Sequence, residues 1–265
     1  MDTADVVIRV SGLSKRFGGN PVLQGIDLEV RHGETLVILG GSGSGKSTLL
    51  RCLVGLEQPD AGRVTIQGVD LFDSDPVTLS RLRERIGMAF QGGALFGSRT
   101  VAENVELPLE EFTAMPRLTR RIVARIKLGM VGLEDAMDLY PAELSGGMVK
   151  RAALARALAL DPDVLLFDEP SAGLDPVTAA ELDRLMIQLK RAFGVTTVVV
   201  THELHSAFAI ADRIALIDRG RFRIVDTPSV VRACDDPLVR RFLDREPAPS
   251  EDSGKKFRRF LDDLR

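Results

Sequence analysis

A glycine-rich loop between an apolar strand and an apolar helix constrains this chain more than any other feature. Residues 40–47 read GGSGSGKS, which fits the spacing GxxxxGK[ST]. The run TLVIL precedes the loop and STLLRCLVGL follows it, as expected for a buried strand and a helix. Glycines let backbone N–H groups turn toward phosphate oxygens, and the helix N-terminus adds a favourable dipole. A Gly/Ser-rich loop that binds nothing is the alternative, but its flanking segments favour a phosphate-binding loop.

Other apolar runs predict the same architecture. VLLFD (Val164–Asp168) and TTVVVT (Thr196–Thr201) are short and rich in branched residues, as strands buried on both faces are. Each precedes a segment with helical spacing, PVTAAELDRLMIQLKRAF or ELHSAFAIADR. Alternating buried strands and helices predict a parallel sheet with crossover helices. Nearer the N-terminus, VVIRV and GIDLEV are expected to form short, half-exposed strands.

The section from about residue 92 to residue 160 differs from its surroundings. It contains no convincing strand, whereas LTRRIVARIKLGMVGL and GGMVKRAALARALAL both have helical period. We therefore expect a helical subdomain inserted into an α/β core, within one domain over residues 1–245. The Pro/Ser/acid-rich stretch EPAPSEDSG then predicts that residues 246–265 are a linker and a tail.

Composition excludes several classes of protein. The net charge of −3 provides no global basic field for nucleic acid or an anionic membrane surface. The two cysteines, Cys52 and Cys234, lack metal-ligand spacing and suggest a reduced, cytosolic compartment. The N-terminus has no signal-peptide core, and no apolar run approaches the roughly 20 residues that a spanning helix needs. Any work at a membrane is therefore expected to rely on another chain for the spans.

Four side chains are candidates for chemistry at the phosphate loop. Lys46 is placed to reach the β- and γ-phosphates, and Ser47 to hold Mg²⁺. Asp168 and Glu169 end the segment VLLFDE, and ligands of parallel sheets gather where strands end. Asp168 suits a Mg²⁺ contact and Glu169 suits polarising an attacking water. A pair of acids entering a surface turn is the alternative for these two residues.

A second glycine-rich turn, LSGGM at residues 144–148, precedes a long helical run. Alone it also fits an ordinary N-capped helix start. Together with the other motifs, however, the chain resembles the nucleotide-binding subunits of ABC transporters over about residues 6–230. The resemblance is carried, in order, by Walker A (40–47), the Q-loop glutamine Gln91, the signature (144–148), Walker B (Val164–Asp168), the catalytic glutamate Glu169, the D-loop SAGLD (171–175) and the switch histidine His202.

The resemblance implies an α/β P-loop fold of the ABC ATPase type, with a parallel-sheet core, a small antiparallel β-subdomain and an inserted helical subdomain. It also implies that ATP is hydrolysed between two copies facing head to tail. Ser145 and the N–H of Gly147 would then complete the site of the partner copy; spacing alone leaves an intrachain site conceivable. The expected catalytic residues are Glu169, His202 and Lys46, and the expected Mg²⁺ ligands are Ser47, Gln91 and Asp168. The expected ATP contacts are Phe17, Gly40, Gly41, Ser42, Gly43, Ser44, Gly45, Lys46, Ser47, Thr48, Ser145, Gly146 and Gly147.

Within this class, FQGGALFGSRTVAENVELPLEE resembles the ATPases of MCE-protein lipid transport systems, the Mla type. LSGGM often replaces LSGGQ in that subgroup, so Met148 fits it and is not expected to be a ligand. The resemblance implies a homodimer on the cytoplasmic face of the inner membrane, with permease subunits, an MCE-domain protein and a small regulatory subunit as partners, and no nucleic acid. Importers of amino acids or other polar solutes share parts of the pattern.

Two other functional classes are alternatives. Soluble ABC ATPases of DNA repair or translation usually carry a long coiled coil or a second cassette, which this chain lacks. A non-enzymatic subunit that only binds ATP would need a degraded Walker B or signature motif, and both are intact.

Three features have competing interpretations. Phe17 is either an adenine platform or an ordinary core residue, and Ala94, Leu95 and Phe96 either line a groove for a membrane partner or pack inside the insert. The tail KKFRRFLDDLR places Phe257, Phe260, Leu261 and Leu264 on one helix face. We expect this face to dock on a second ATPase copy; a membrane-surface helix and a frayed tail are the alternatives.

Overall fold

The computed structural model describes residues 5–246, which form ten strands and nine α-helices. The strands are β1 (Val6–Phe17), β2 (Asn20–Arg31), β3 (Thr35–Leu39), β4 (Ala61–Ile66), β5 (Val69–Asp70), β6 (Ile86–Ala89), β7 (Val164–Asp168), β8 (Thr196–Thr201), β9 (Arg213–Asp218) and β10 (Arg221–Asp226). The helices are α1 (Lys46–Leu53), α2 (Pro76–Glu84), α3 (Val101–Phe112), α4 (Arg117–Met130), α5 (Gly146–Ala157), α6 (Pro176–Phe193), α7 (Leu204–Ile210), α8 (Pro228–Ala233) and α9 (Pro237–Leu243). The predicted face at Phe257 to Leu264 lies outside the described residues.

The central sheet has six strands in the order β10-β9-β3-β8-β7-β6. Strands β9, β3, β8, β7 and β6 are mutually parallel, and β10 pairs with β9 in the antiparallel sense. Residues along β3 alternate between the two faces: Val37 and Leu39 belong to one hydrophobic core and Leu36 and Ile38 to the other. Because both faces are covered, the middle residues of these strands are apolar, and the parallel pairing confirms the predicted sheet.

A smaller antiparallel sheet, in the order β2-β1-β4-β5, covers one side of the central sheet through the second core. Strands β1 and β2 are 12 residues each, so the prediction of short strands was wrong in length. They form a long hairpin in which Phe17 pairs with Asn20, and Gly18 and Gly19 both have positive φ. A two-residue turn of this kind matches the twist of the strands and lets the ladder continue to the hairpin end.

The chain between β6 and β7 contains helices α3, α4 and α5, and they pack in the first core. Thr100 and Glu103 form a reciprocal capping box at the start of α3, which satisfies two amides of the first turn. Together the two sheets and this helical group confirm the predicted fold class. Within residues 5–246, none of the helices combines the length and apolar character that crossing a bilayer requires.

Helix α5 approaches the central sheet at Gly87 of β6. A Cβ atom at this position would overlap the backbone carbonyl oxygen of Ala157, at the end of α5, and lie 2.8 Å from Leu165 Cδ2. We expect Gly87→Ala to lower the free energy of unfolding by about 1–3 kcal/mol, because the backbone has to move to admit the methyl group. Urea denaturation checks this, with Gly97→Ala as the control because that glycine has open space around it. Equal stability of the two variants would contradict the close approach.

Candidate nucleotide site

An open cleft of about 590 Å³ lies at the carboxyl ends of the central strands. Parallel sheets gather their ligands at this edge. The cleft is lined by Gly41, Ser42, Gly43, Lys46, Ser47, Gln91, Glu169, His202, Leu204, Arg241, Phe242, Arg245 and Glu246. The structure therefore brings together residues from the predicted phosphate loop, the Q-loop, the position after Walker B and the switch region, which are far apart in sequence.

The phosphate loop joins β3 to α1 in a closely packed turn. A Cβ at Gly40 would lie 2.5 Å from the carbonyl oxygen of Ile217, and Gly45 has a φ of 107°. Within the described chain, no side chain caps α1, so its first-turn N–H groups remain available to an anion. Lys46 Nζ donates to the carbonyl oxygens of Gly40 at 2.7 Å and Gly41 at 3.0 Å. This loop has the shape and polarity that a chain of phosphates requires.

Lys46 lies opposite two acids. Burial lowers the pKa of its ammonium group, and the carboxylates of Glu169 and Asp168 act against that shift. Its Nζ atom is 4.0 Å from Glu169 Oε1. The ammonium group of Lys46 is thus held between the phosphate loop and the two acids at the end of β7.

Asp168, at the end of β7, has the properties of a metal ligand. Its Oδ1 atom is buried and has no hydrogen-bond partner within residues 5–246. Burial and the neighbouring Glu169 raise the pKa of its carboxyl group, whereas Arg51, the Ser47 hydroxyl and Lys46 lower it. A buried carboxylate oxygen beside a serine hydroxyl is a set of hard oxygen donors, which Mg²⁺ prefers. Asp168 and Ser47 therefore fit the expected ion.

Glu169 is held on several sides. It is buried, and its Oε2 atom accepts hydrogen bonds from Thr201 Oγ1 at 3.0 Å and from the His202 N–H at 3.2 Å. The imidazole Nδ1 of His202 lies 2.9 Å from the same oxygen. Glu169 also has a φ of 49°, an uncommon value for a residue with a side chain. These contacts aim one carboxylate oxygen at His202 and leave the other toward Lys46.

Four other predicted residues are Gln91, Ser44, Thr48 and Phe17, and of these Gln91 alone lines the described cleft. Gln91 is exposed. Buried Ser44 has a hydroxyl without a partner among the described residues, and Thr48 is half-buried in α1. Phe17 is 45% exposed at the end of the long hairpin, with Lys15 Nζ 5.2 Å from its ring centroid. Its exposure rules out the core interpretation and leaves a ring face at the surface.

The signature segment is not part of the cleft in a single chain. Ser145 and Gly146 are exposed, and neither they nor Gly147 lines the cleft described within residues 5–246. Ser145 instead caps α5, accepting from the Met148 N–H at 3.3 Å, and Gly147 packs against α6, where a Cβ would lie 2.6 Å from Thr178 Cγ2. The cap and the first residue of α5 are thus exposed, and within residues 5–246 they do not line the cleft at the phosphate loop.

Sequence reasoning missed three contributors to the site. Thr201 holds Glu169, and its place at the end of a predicted buried strand was the signal that could have found it. Lys150 on α5 donates to the carbonyl oxygens of Gln91 and Glu169. The end of α9 supplies Arg241 and Phe242 to the wall of the cleft, and no motif in the sequence marked this helix.

Comparisons with known proteins agree with this geometry. The ABC transporter family model matches residues 23–172. The chain is 39% identical over 238 residues to the probable ribonucleotide transport ATP-binding protein mkl of Mycobacterium leprae, covering 90% of this chain and 69% of that protein. It is 44% identical over 236 residues to the methionine import ATP-binding protein MetN of Mesorhizobium japonicum, covering 89% of this chain and 64% of that protein.

Solved structures are similar in fold and sequence. The dimeric post-hydrolysis state of the ATP-binding cassette MJ0796 with ADP and Pi superposes with a TM-score of 0.76 at 34% identity, covering 83% of this chain and 98% of that one. The cbiO1 protein of Clostridium perfringens, part of the ABC transporter complex cbiONQ, gives 0.77 at 30% identity, covering 92% and 100%. The chain therefore belongs to the ABC transporter family and carries its nucleotide-binding, ATP-hydrolysing cassette.

Proposed function

We propose that two copies of this chain hydrolyse ATP at shared sites and so drive a membrane transporter that moves lipid together with an MCE-type partner. The observation that supports ATP hydrolysis, the first part of this proposal, is the position of Glu169. Its carboxylate is held by Thr201 and His202 and lies 4.0 Å from Lys46. A buried, oriented carboxylate beside a phosphate loop suits the alignment of a water molecule for attack on the terminal phosphate.

Each residue of the cleft has a place in this reaction. Lys46 and the loop N–H groups hold the phosphates, because they combine a cation with a helix N-terminus. Ser47 and Asp168 would hold Mg²⁺, with Gln91 beside them, and the ion would neutralise charge on the phosphate oxygens. Glu169 orients the water, and His202 holds Glu169 and faces the terminal phosphate. Catalysis then comes mainly from positioning and charge stabilisation.

The second copy supplies what the single-chain cleft lacks. The cleft is open, and the exposed N-terminus of α5 has Ser145 as its cap. Placed over the nucleotide of another copy, this helix end would offer N–H donors and exclude water from the phosphates. The dimeric solved structures of the cassette MJ0796 support the pairing of two copies.

A partner with membrane spans is part of the proposal, which places the chain on the cytoplasmic face of the inner membrane. Phe96 is 56% exposed, whereas the neighbouring Leu95 packs against the first core. An exposed aromatic residue on the loop before α3 suits docking of a permease helix. The segment 90–111 and LSGGM support the Mla-type subgroup, and with it an MCE-domain protein and a small regulatory subunit.

Methionine import is the second candidate function. It is favoured by the 44% identity with MetN of Mesorhizobium japonicum and the 46% identity over 220 residues with MetN of Rhizobium etli. The mkl relative, by its name, serves ribonucleotide transport. The chain spans 64% and 60% of the two MetN proteins, so a third or more of each lies outside the match.

Purification of the tagged chain from its native membrane separates these candidates. We expect a permease and an MCE-domain protein to copurify with both the parent and Glu169→Gln, as identified by mass spectrometry. A Phe96→Glu variant is the matched control and should lose the permease, because a charge would enter the apolar contact. Recovery of a periplasmic amino-acid-binding protein in place of an MCE protein would overturn the lipid assignment and favour the importer.

Phe17 offers a test of nucleotide contact away from the phosphates. We expect Phe17→Ala to weaken ATP binding by about 5-fold to 100-fold, because base–aromatic stacking contributes about 1–3 kcal/mol. Titration with a fluorescent ATP analogue measures the Kd, and Phe17→Tyr should bind like the parent because it keeps the ring. If Phe17→Ala binds ATP as tightly as Phe17→Tyr, the adenine platform is misassigned.

A further inference from the structure

The side chain of Lys150 crosses from the signature helix α5 to two loops that line the nucleotide cleft. Its Nζ atom donates to the backbone carbonyl oxygen of Glu169 at 3.2 Å and to the carbonyl oxygen of Gln91. Lys150 is half-buried, and burial lowers the pKa of its ammonium group while Glu169 and Asp168 act against that shift. One cation therefore joins three segments: α5, the Q-loop and the end of β7.

At Glu169, the bridge contacts backbone in an unfavourable conformation. Its φ of 49° lies in the left-handed region, which costs free energy for a residue with a side chain. The N–H of Glu169 donates to the Val200 carbonyl at 2.8 Å on one side, and Lys150 binds its carbonyl on the other. Since the backbone orientation sets where the carboxylate points, Lys150 helps to aim the group proposed to orient water.

The Q-loop end is held by the same helix at a second point. Arg156, farther along α5, donates to the carbonyl oxygens of Gly93 at 2.7 Å and Ala94 at 2.6 Å. Gly93 also lies against α5, where a Cβ would be 2.7 Å from Val149 Cγ1. The turn at residues 91–94 is thus fastened to α5, but Arg156 makes no hydrogen bond to Glu169 among those described.

The N-cap of helix α5, Ser145, lies five residues before Lys150. At about 1.5 Å of rise per residue, the exposed N-terminus and the bridge are little more than one helical turn apart. A shift of the N-terminus would therefore reach the bridge through a short stretch of one helix.

We propose that Lys150 is a positioning residue that ties the backbone of Glu169 and the Q-loop to the signature helix. The signature helix and the hydrolytic carboxylate of one copy are thereby linked, so that a displacement of α5 would shift the aim of that carboxylate. This inference rests on the proposed role of Glu169. An ordinary structural lysine would stabilise the fold without a selective effect on the chemical step.

The test uses Lys150→Met, which keeps the chain length and removes the donors, and Lys150→Arg, which keeps a cation and donors. In the full-length chain we expect Lys150→Met to lower kcat about 10-fold or more, as loss of alignment of a general base does, with KM for ATP changed less than about 3-fold. Lys150→Arg should retain most of kcat. Thermal unfolding of each variant shows whether it is folded, and Lys150→Gln replaces Lys150→Met if the latter is not.

Two comparisons make the test selective. Arg156→Met removes hydrogen bonds to the Q-loop turn and none to Glu169. It should therefore lower kcat less than Lys150→Met does. In a Glu169→Gln background, Lys150→Met should lower kcat by less than a further factor of about 2. The effects of residues that act through one group are not additive. Parent-like kcat in Lys150→Met, or equal losses in Arg156→Met, would overturn the bridge. Parent-like hydrolysis by Glu169→Gln alone would instead overturn the proposed role of Glu169.

Discussion

Glu169→Gln is expected to lower ATP hydrolysis about 100-fold or more, the contribution typical of a positioned general base, while ATP still binds. Glutamine keeps the shape of the side chain and its hydrogen bonds to Thr201 and His202, but it cannot accept a proton from water. Lys46 and the phosphate loop are unchanged, so the Kd for ATP should stay near that of the parent. Steady-state phosphate release and titration with a fluorescent ATP analogue measure the two quantities.

The same variant should accumulate as a closed dimer with ATP, since the nucleotide that joins the copies is not consumed. Analytical ultracentrifugation with and without ATP measures this accumulation. Glu181→Gln, an exposed acid on α6, is the matched control and should hydrolyse ATP like the parent. Hydrolysis by Glu169→Gln at a rate near that of Glu181→Gln would show that Glu169 is misassigned.

Ser145→Arg is expected to abolish hydrolysis at every chain concentration while ATP binding to the single chain stays intact. Ser145 lies outside the cleft of its own chain, so the change leaves the phosphate loop unaltered. In the dimer, the long side chain would block the approach of α5 to the partner's nucleotide. Parent activity per chain should rise with concentration as dimers form, whereas the variant should stay inactive throughout.

Loss of the cap at Ser145 is a separate effect, which costs about 1 kcal/mol of stability. Ser145→Ala is the control for it, because alanine also removes the cap but adds no bulk, and it should retain more hydrolysis than Ser145→Arg. Comparable thermal unfolding of the two variants would assign the lost activity to the blocked interface. Dilute, monomeric Ser145→Arg that hydrolyses ATP as fast as the parent dimer would contradict a site shared by two chains.

Local signals in the sequence predicted helix α6 and the buried strands β3, β7 and β8 well. Helix α6 spans Pro176–Phe193 as its pattern indicated, because Asp175 caps its start, Pro176 occupies the first turn and Gly194 ends it with a φ of 64°. The phosphate loop was recognisable for the same reason: strand, glycines and helix are contiguous. Each of these features depends on neighbours along the chain.

Features that depend on distant partners were not predictable in this way. The length of β1 and β2 follows from their pairing with each other and with β4, and the antiparallel β10 is stabilised by pairing with β9. Likewise, Lys150 and Thr201 became site residues only because folding brings α5 and β8 beside Glu169. A lysine within a helix carries no distinctive local pattern, and the place of Thr201 at a strand end indicates only the ligand-binding edge of the sheet, not its contact with Glu169.

The end of helix α9 is a suitable position for a fluorescent reporter of the nucleotide site. Arg245, just beyond this helix, lines the cleft beside the phosphate loop, so a dye attached through Arg245→Cys would sit where nucleotide and partner chain arrive. Cys52 would not compete for the label, because it is fully buried and burial raises the pKa of its thiol to about 11. Replacing Cys234 alone would leave a singly labelled chain whose emission follows the filling and emptying of the site in real time.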